Sequence, residues 1–217
     1  NHARALWEKR GIPQGFWQEF WQLGYDPAHD FWFKDSITGE VATHTTATLT
    51  IPVWDTGWTA QNIKHRLLDP VPGRGDRYRL DRKGLPPVLF VAEPDRAMTG
   101  TCVIVEGEIK AMVVASRLDD PRYQVVGLAS KTPDPGVLEK LKDCDPLIII
   151  PDPDALYPTV DNQGRETKSA VSRLTGMLGA ERCRLAVVPD KIDDWLIRHD
   201  LGKYWIKRTL DNARRMG

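Results

Sequence analysis

From Thr101 onward, short runs of consecutive apolar residues alternate with amphipathic stretches, and this alternation restricts the fold more than any other feature. Cys102–Val105, Gln124–Val126, Leu147–Ile150 and Arg184–Val188 read as strands. Gly107–Leu118, Pro135–Lys142, Lys168–Leu178 and Ile192–Arg198 carry the spacing of helices. A strand that is apolar on both faces must be covered on both faces, which is the condition of a parallel sheet in an α/β unit. Leu201–Arg215 reads as a closing polar helix. The expected architecture is an α/β fold: a parallel sheet with helices on both faces over 100–198, then a C-terminal helix over 199–217.

Residues 1–99 have a different texture and read as a smaller α+β subdomain, its first part mainly helical. His2–Arg10 is a short helical stretch stopped by Gly11. Pro13 can occupy an early helical position, after which Phe16, Phe20 and Leu23 share a face, with Trp17 and Trp21 beside it. Such a stripe is either core or a platform on which bases stack. Ala47–Val53 alternates and is β-rich, Asp55–Gly57 is a turn, and Trp58–Leu67 returns as the second strand of a hairpin. The period of two then places Lys64 and Arg66 on one side. Gly73–Lys83 is a basic loop, and Leu85–Phe90, with two prolines, is a connection.

The formal net charge of zero hides a segregation of charge. Gln61–Lys83 holds seven Lys/Arg against three Asp, Asp143–Glu166 six acids against one Arg, and Arg198–Arg215 six Lys/Arg against two Asp. Basic segments flanking an acidic one fit a metal-loaded centre with phosphate-binding borders, although each segment alone could be a solvated face. No run approaches the roughly 18 apolar residues of a membrane span. Cys102, Cys144 and Cys183 are far apart with no CxxC pair, which argues against a zinc ribbon and fits a reducing cytoplasm. Opening on Asn1 rather than Met fits a piece of a longer chain.

In a parallel sheet, ligands gather at the carboxyl ends of the strands. Three strand ends here deliver acids: Glu106-Gly107-Glu108, Pro151-Asp152-Pro153-Asp154, and Pro189-Asp190-Lys191-Ile192-Asp193-Asp194. Hard divalent cations want several carboxylate oxygens, and Mg²⁺ keeps waters that phosphate oxygens can displace. Gly107 lets the backbone pass close to a phosphate. Each acid also has a local reading. Glu106 and Glu108 could serve a helix start, Asp-Pro-Asp a turn, and Asp193 and Asp194 a helix cap. Their recurrence at three strand ends favours a shared site.

These residues resemble Toprim domains, whose pattern is an apolar strand followed by Glu-Gly and a later strand followed by Asp-x-Asp. The matches are VIVEGEIKAM (Val103–Met112) and LIIIPDPD (Leu147–Asp154). Pro189–Leu196 resembles the third primase motif, with either Asp193 or Asp194 as the equivalent acid. Lys110 stands where bacterial primases usually have Asp, which turns the resemblance toward phage or plasmid primase-like proteins. Upstream, RGIPQGFWQEFWQLGY is similar to the helical opening of the primase core. LTIPVWD, NIKHRL and DRYRL are similar to its basic strand pair and loop. By that comparison Lys64, Arg66, Arg77 and Tyr78 fall at phosphate-contacting positions. GLASKT (Gly127–Thr132) resembles the loop after the second Toprim strand. It is not a Walker A motif, because Ser130 stands where Gly is required before Lys.

The resemblance implies a primase-type nucleotidyl transferase that uses Mg²⁺ or Mn²⁺, a single-stranded DNA template and nucleoside triphosphates. Glu106, Asp152 and Asp154, joined by Asp193 or Asp194, would hold the metal. Lys64, Arg66, Arg77, Tyr78, Lys110 and Lys191 would contact nucleotide or template. A helicase or zinc-binding module would lie elsewhere in a longer chain or in a partner. Phosphodiester cleavage by a Toprim nuclease, and a non-catalytic single-strand-binding replication or defence protein, are the alternatives. A topoisomerase would need a presented nucleophilic Tyr, for which the sequence offers no context.

Overall fold

The computed structural model describes residues 2–34, 38–54, 57–70, 77–85, 88–130, 133–160 and 163–216. The expected turn at Asp55-Thr56, Gly73–Asp76 of the basic loop, the prolines Pro86 and Pro87, and Lys131-Thr132 of GLASKT lie outside them. The chain divides into two units: 1–9, 13–53 and 60–85 form the first, and 10–12, 54–59 and 86–217 the second.

The first unit contains α1 (His2–Lys9), α2 (Phe16–Phe20) and a four-stranded sheet. Its strands are β1 (Gly24–Lys34), β2 (Val41–Trp54), β3 (Ala60–Leu67) and β4 (Tyr78–Leu80), in that spatial order. The mainly helical expectation for this region is therefore corrected, since most of it is β. The reason lies in β1. Its register on β2 runs Asp26↔Thr48 and then His29↔Thr46, so a bulge breaks the period of two that would have announced a strand. Asp26 Oδ1 accepts the Ala28 N–H across this bulge, where Pro27 is tolerated.

The i, i+4 spacing of the aromatics holds: Phe16 stacks on Phe20 at 5.4 Å and Trp17 on Trp21 at 4.9 Å between ring centres. α2 spans five residues and leaves Phe16 66% exposed, while Trp21 and Gln18 are buried. Trp7, Leu49 and Ile51 are buried with Trp21, and the Trp7 indole donates to the Gly24 carbonyl at 3.0 Å. β4 lies inside the stretch read as a basic loop.

The second unit is built on a six-stranded sheet. Its elements in chain order are β5 (Phe90–Val91), β6 (Gly100–Glu106), α3 (Glu108–Leu118), β7 (Tyr123–Leu128), α4 (Pro135–Leu138) and β8 (Cys144–Ile150). A small ribbon of β9 (Thr159–Val160) and β10 (Glu166–Thr167) follows. The chain continues through α5 (Ala170–Leu178), β11 (Cys183–Leu185), α6 (Ile192–Arg198), α7 (Lys203–Asp211) and β12 (Arg214–Arg215). The spatial order is β12-β11-β8-β6-β7-β5. The four central strands are parallel, as their continuous apolar runs require. The edges differ from expectation. β5 and β12 are antiparallel, and the polar helix expected over 201–215 stops at Asp211 so that Arg214 and Arg215 can pair with β11.

Cys102, Ile104, Val126, Leu128, Leu147 and Ile149 pack on one face of the sheet against Leu138, Leu174 and Leu178 of α4 and α5. By alternation, Val103, Val105 and Val125 point to the other face, where α3 packs on β6 and β7. α6 and α7 pack in turn on α3. A helix enclosed in this way buries nearly all its residues, and Ile109, Ala111, Met112, Val113 and Val114 are all buried.

Two glycines bring β6 and β7 together at the edge that carries the acids. Gly107 has φ +84°, and its N–H donates to the Leu128 carbonyl at 2.7 Å. A Cβ on Gly127 would stand 2.6 Å from the Gly107 carbonyl oxygen. Gly127→Ala is therefore expected to lower stability by about 1–3 kcal/mol, the usual range for overpacking. The check is the urea midpoint at constant slope. An unchanged midpoint would mean that the turn after β6 yields without cost.

Candidate functional site

Glu106 is the last residue of β6, and Asp152 follows β8 by two residues. In the parallel register Val105 pairs with Ile150, so both acids leave adjacent strands at the same edge. They line a pocket of about 40 Å³ together with Leu128, Ser130, Pro151 and Ala155. That volume accommodates little more than a water-sized guest. Asp152 precedes a 3₁₀ turn, Pro153–Leu156, and its carbonyl accepts the Ala155 N–H at 2.9 Å. Asp193 stands in the first turn of α6.

The electrostatics centre on Lys110, in the first turn of α3. Its Nζ donates to Asp152 Oδ2 at 2.7 Å, with the side chains 13% and 5% exposed respectively. Arg10 Nη2 lies 3.9 Å from Asp193 Oδ2. Burial pushes the Asp193 carboxyl above the usual carboxylate range. Lys110 pulls it back, Asp194 raises it further, and Arg10 lowers it. Asp152 Oδ1 and Asp193 Oδ1 are both buried without a hydrogen-bond partner. Buried carboxylate oxygens are rarely left so, because each unsatisfied one carries its full desolvation cost. Unsatisfied carboxylate oxygens are the donors a hard divalent cation such as Mg²⁺ or Mn²⁺ takes, so the chemistry of these residues fits it, although among the described residues no three of these carboxylates converge as a ready-made ligand group.

The remaining residues singled out in the sequence are distributed as follows. Asp154, in the 3₁₀ turn, and Asp194, in α6, are exposed, whereas Asp193 is the buried member of its pair. Lys110 is not a solvated surface lysine, since it is committed to Asp152. Lys191 is exposed just before α6. Its N–H donates to Asp190 Oδ1, and Arg198 holds Asp190 Oδ2 at 2.9 Å.

Lys64, Arg66 and Tyr78 meet on the sheet of the first unit. Lys64 Nζ lies 4.9 Å and the Arg66 guanidinium 5.3 Å from the Tyr78 ring centre. Arg66 also donates to the Tyr78 hydroxyl at 2.7 Å. Arg77 is exposed beside them, and its carbonyl accepts the Leu67 N–H. Arg10 was not foreseen, and nothing in its surrounding sequence marks it as the partner of Asp193.

No protein-family model matches the chain, and no curated protein does. Solved structures do match. The zinc-binding and RNA polymerase domains of the Aquifex aeolicus primase align with TM-score 0.69 and 16% identity, over 98% of this chain and 56% of that one. A DnaG primase catalytic domain bound to single-stranded DNA aligns with TM-score 0.67 and 14% identity, over 99% of this chain and 74% of that one. A chain also matches in the bacteriophage T7 structure of lagging-strand DNA polymerase interacting with primase domains bound to an RNA/DNA hybrid and dTTP. Its TM-score is 0.62 at 22% identity, over 96% of this chain and 91% of that one. The chain thus has the mixed α/β fold of primase catalytic cores, and it spans little more than half the length of the Aquifex chain.

A carboxyl whose folded pKa is raised holds its proton more readily in the folded state. Its contribution is best below the unfolded pKa and declines as pH rises through the folded one. At neutral pH the charge on Asp193 therefore opposes folding in the metal-free chain. Asp193→Asn is expected to raise the metal-free melting temperature by roughly 2–4 °C, about 1 kcal/mol for a chain of this size. The gain should shrink as pH approaches 4, and any increment from added Mg²⁺ should fall. A melting temperature lowered at pH 7 would show that Lys110 and Arg10 already overcompensate the burial.

Proposed function

We propose that the chain is a primase-type nucleotidyl transferase core with a Toprim-class centre, joining nucleoside triphosphates on a single-stranded DNA template. The observation that carries this reading is the pair of buried, unsatisfied oxygens on Asp152 and Asp193, with Asp152 sharing its pocket with Glu106. Glu106, Asp152, Asp154 and Asp193, with Asp194 exposed beside them, would hold one or two Mg²⁺ or Mn²⁺ ions. When bound, such an ion supplies charge neutralisation on the triphosphate and a lower cost for the attacking 3′-alkoxide.

The chain's own residues supply the rest. Glu106, half-buried at its strand end, is the carboxylate that would take a proton from the attacking hydroxyl. Lys110 balances the charge of Asp152 in its buried setting. Lys64, Arg66 and Arg77 neutralise phosphates, and Tyr78 presents a ring against which a base can stack. Lys191 adds an exposed cation at the start of α6.

Among the similar structures, one primase domain was solved with single-stranded DNA and others with an RNA/DNA hybrid, ligands of the kind proposed here. The likeness to a chain in the T7 structure, together with Lys110 in place of the usual Asp, supports a phage or plasmid setting. A zinc-binding module or helicase would then belong to a longer chain or a partner. No helix among the described residues is long and apolar enough to cross a membrane. The same carboxylates would serve phosphodiester cleavage, and the products of one assay separate the two chemistries.

Glu106→Gln keeps the volume and removes the charge. It is expected to fold and to bind single-stranded DNA like the parent, yet to lose metal-dependent extension by on the order of a hundredfold. Labelled nucleotide incorporation on unprimed single-stranded DNA provides the measurement. Degradation of the template instead of extension would identify a nuclease, and full activity in the variant would move the site elsewhere.

Binding should rest on the basic side chains of the first unit. Replacing Lys64, Arg66 and Arg77 with Ala is expected to weaken single-strand binding and to flatten the logarithmic salt slope by about 2, close to 0.7 per lost phosphate contact. A slope equal to the parent's would make these residues an ordinary solvated face.

A further inference from the structure

We propose that His29, His65 and Asp81 form a metal site of their own on the four-stranded sheet, suited to a borderline divalent transition metal of the zinc class. One donor atom from each of the three lies within 4.8 Å of the other two. The sheet brings them together from three strands. His29 lies on β1 opposite Thr46 of β2, and His65 lies on β3 opposite Arg79 of β4. Asp81, two residues past Arg79, returns to the same face, and its N–H continues the ladder to the Ile63 carbonyl at 2.9 Å. The two imidazole rings stand 3.9 Å apart between centroids.

The hydrogen bonds around the rings have the form that metal-binding histidines take. A ligating histidine holds its second nitrogen on a carboxylate or another polar group, which fixes the ring and its tautomer. Here Asp26 Oδ2 lies 2.9 Å from His29 Nδ1, and Thr48 Oγ1 lies 3.1 Å from His65 Nδ1. Nε2 is then the nitrogen each ring has left for another partner. His65 is only 3% exposed, and its Nε2 is buried with no hydrogen-bond partner, 3.9 Å from Asp81 Oδ1. A buried ring nitrogen in that state is a cost to the fold, and a bound cation would remove it.

The donor set also selects the metal. Two imidazoles and one carboxylate suit Zn²⁺ and its neighbours, whereas Mg²⁺ and Ca²⁺ want oxygen alone. Zinc bonds of about 2.0–2.1 Å in a tetrahedron place donors about 3.4 Å apart. The donors stand within 4.8 Å of one another, and rotation of the Asp81 side chain, which is 46% exposed, would close its 3.9 Å gap to His65. Three protein ligands leave a fourth position for water. One apolar cluster on this sheet joins Phe31 and Leu67 with Phe33 against them, and a cation held by His29, His65 and Asp81 would add folding energy beside it.

The full chain, stripped with EDTA and held in saturating Mg²⁺ to occupy the acidic cluster, is titrated with Zn²⁺ against a chromophoric chelator. Co²⁺ is followed separately by its visible absorption. The expected result is one Zn²⁺ per chain, a rise in melting temperature, and Co²⁺ bands typical of low-coordinate nitrogen and oxygen ligation. Asp81→Asn and His29→Gln should each weaken Zn²⁺ by at least about tenfold, whereas Asp152→Asn should leave it unchanged. Should His65→Ala fail to fold, Asp81→Asn still decides, because its side chain is half in water. Zinc that does not bind, or that binds equally well to Asp81→Asn and His29→Gln, would reduce the cluster to a stacked imidazole pair and overturn the proposal.

Discussion

The acidic edge of the second unit depends on one buried ion pair. Lys110 and Asp152 meet at 2.7 Å with both side chains nearly out of water. Two such charges repay their desolvation only in good geometry, and removing one partner from a buried pair costs about 3–5 kcal/mol. Lys110 therefore allows Asp152 to be buried at the strand end without a cation already in place. Asp193, which Lys110 also stabilises, would otherwise face its burial with Arg10 at 3.9 Å and the Asp194 backbone N–H to offset it.

That pair is delivered by topology. α3 begins two residues after Glu106, so its first turn stands over the carboxyl end of the sheet, and the side chain of Lys110 reaches Asp152 beyond the neighbouring strand. The connection is this short because Gly107 adopts a backbone conformation that L side chains avoid and because Gly127 leaves room for its carbonyl. Burying α3 between the sheet and α6 and α7 then fixes the height of Lys110. The geometry of the acids is thus set by apolar packing several residues away, and the polar groups occupy positions the core has already chosen.

This division explains what could be read from the sequence. Strands buried on both faces must be apolar throughout, so β6, β7 and β8 were visible as runs and their terminal acids, Glu106 and Asp152, as a consequence. The helix at Ile192–Arg198 has the bounds its pattern gives. Where burial is partial the pattern fails. β1 hides behind the bulge at Asp26–His29, β12 consists of two arginines, and β5 is only two residues long. Asp193 and Asp194 are adjacent, and about 100° of helical rotation decides which is buried, so the sequence leaves both open. Arg10 meets Asp193, and His29 meets His65, only through strand order and chain return, which no local pattern encodes.

The two polar clusters differ in the donors they offer, and that difference keeps them chemically separate. The strand-end acids offer carboxylate oxygens, two of them buried and unsatisfied, which are the donors the proposed Mg²⁺ would take. The cluster on the four-stranded sheet offers two imidazoles and one carboxylate, a set for which Mg²⁺ competes poorly and the later first-row metals compete well. An oxygen site tolerates exchange with phosphate-bound cations, as transfer chemistry requires. A site with nitrogen donors holds a later first-row ion more tightly. The two proposed sites would thus sort their metals by ligand chemistry rather than by shape.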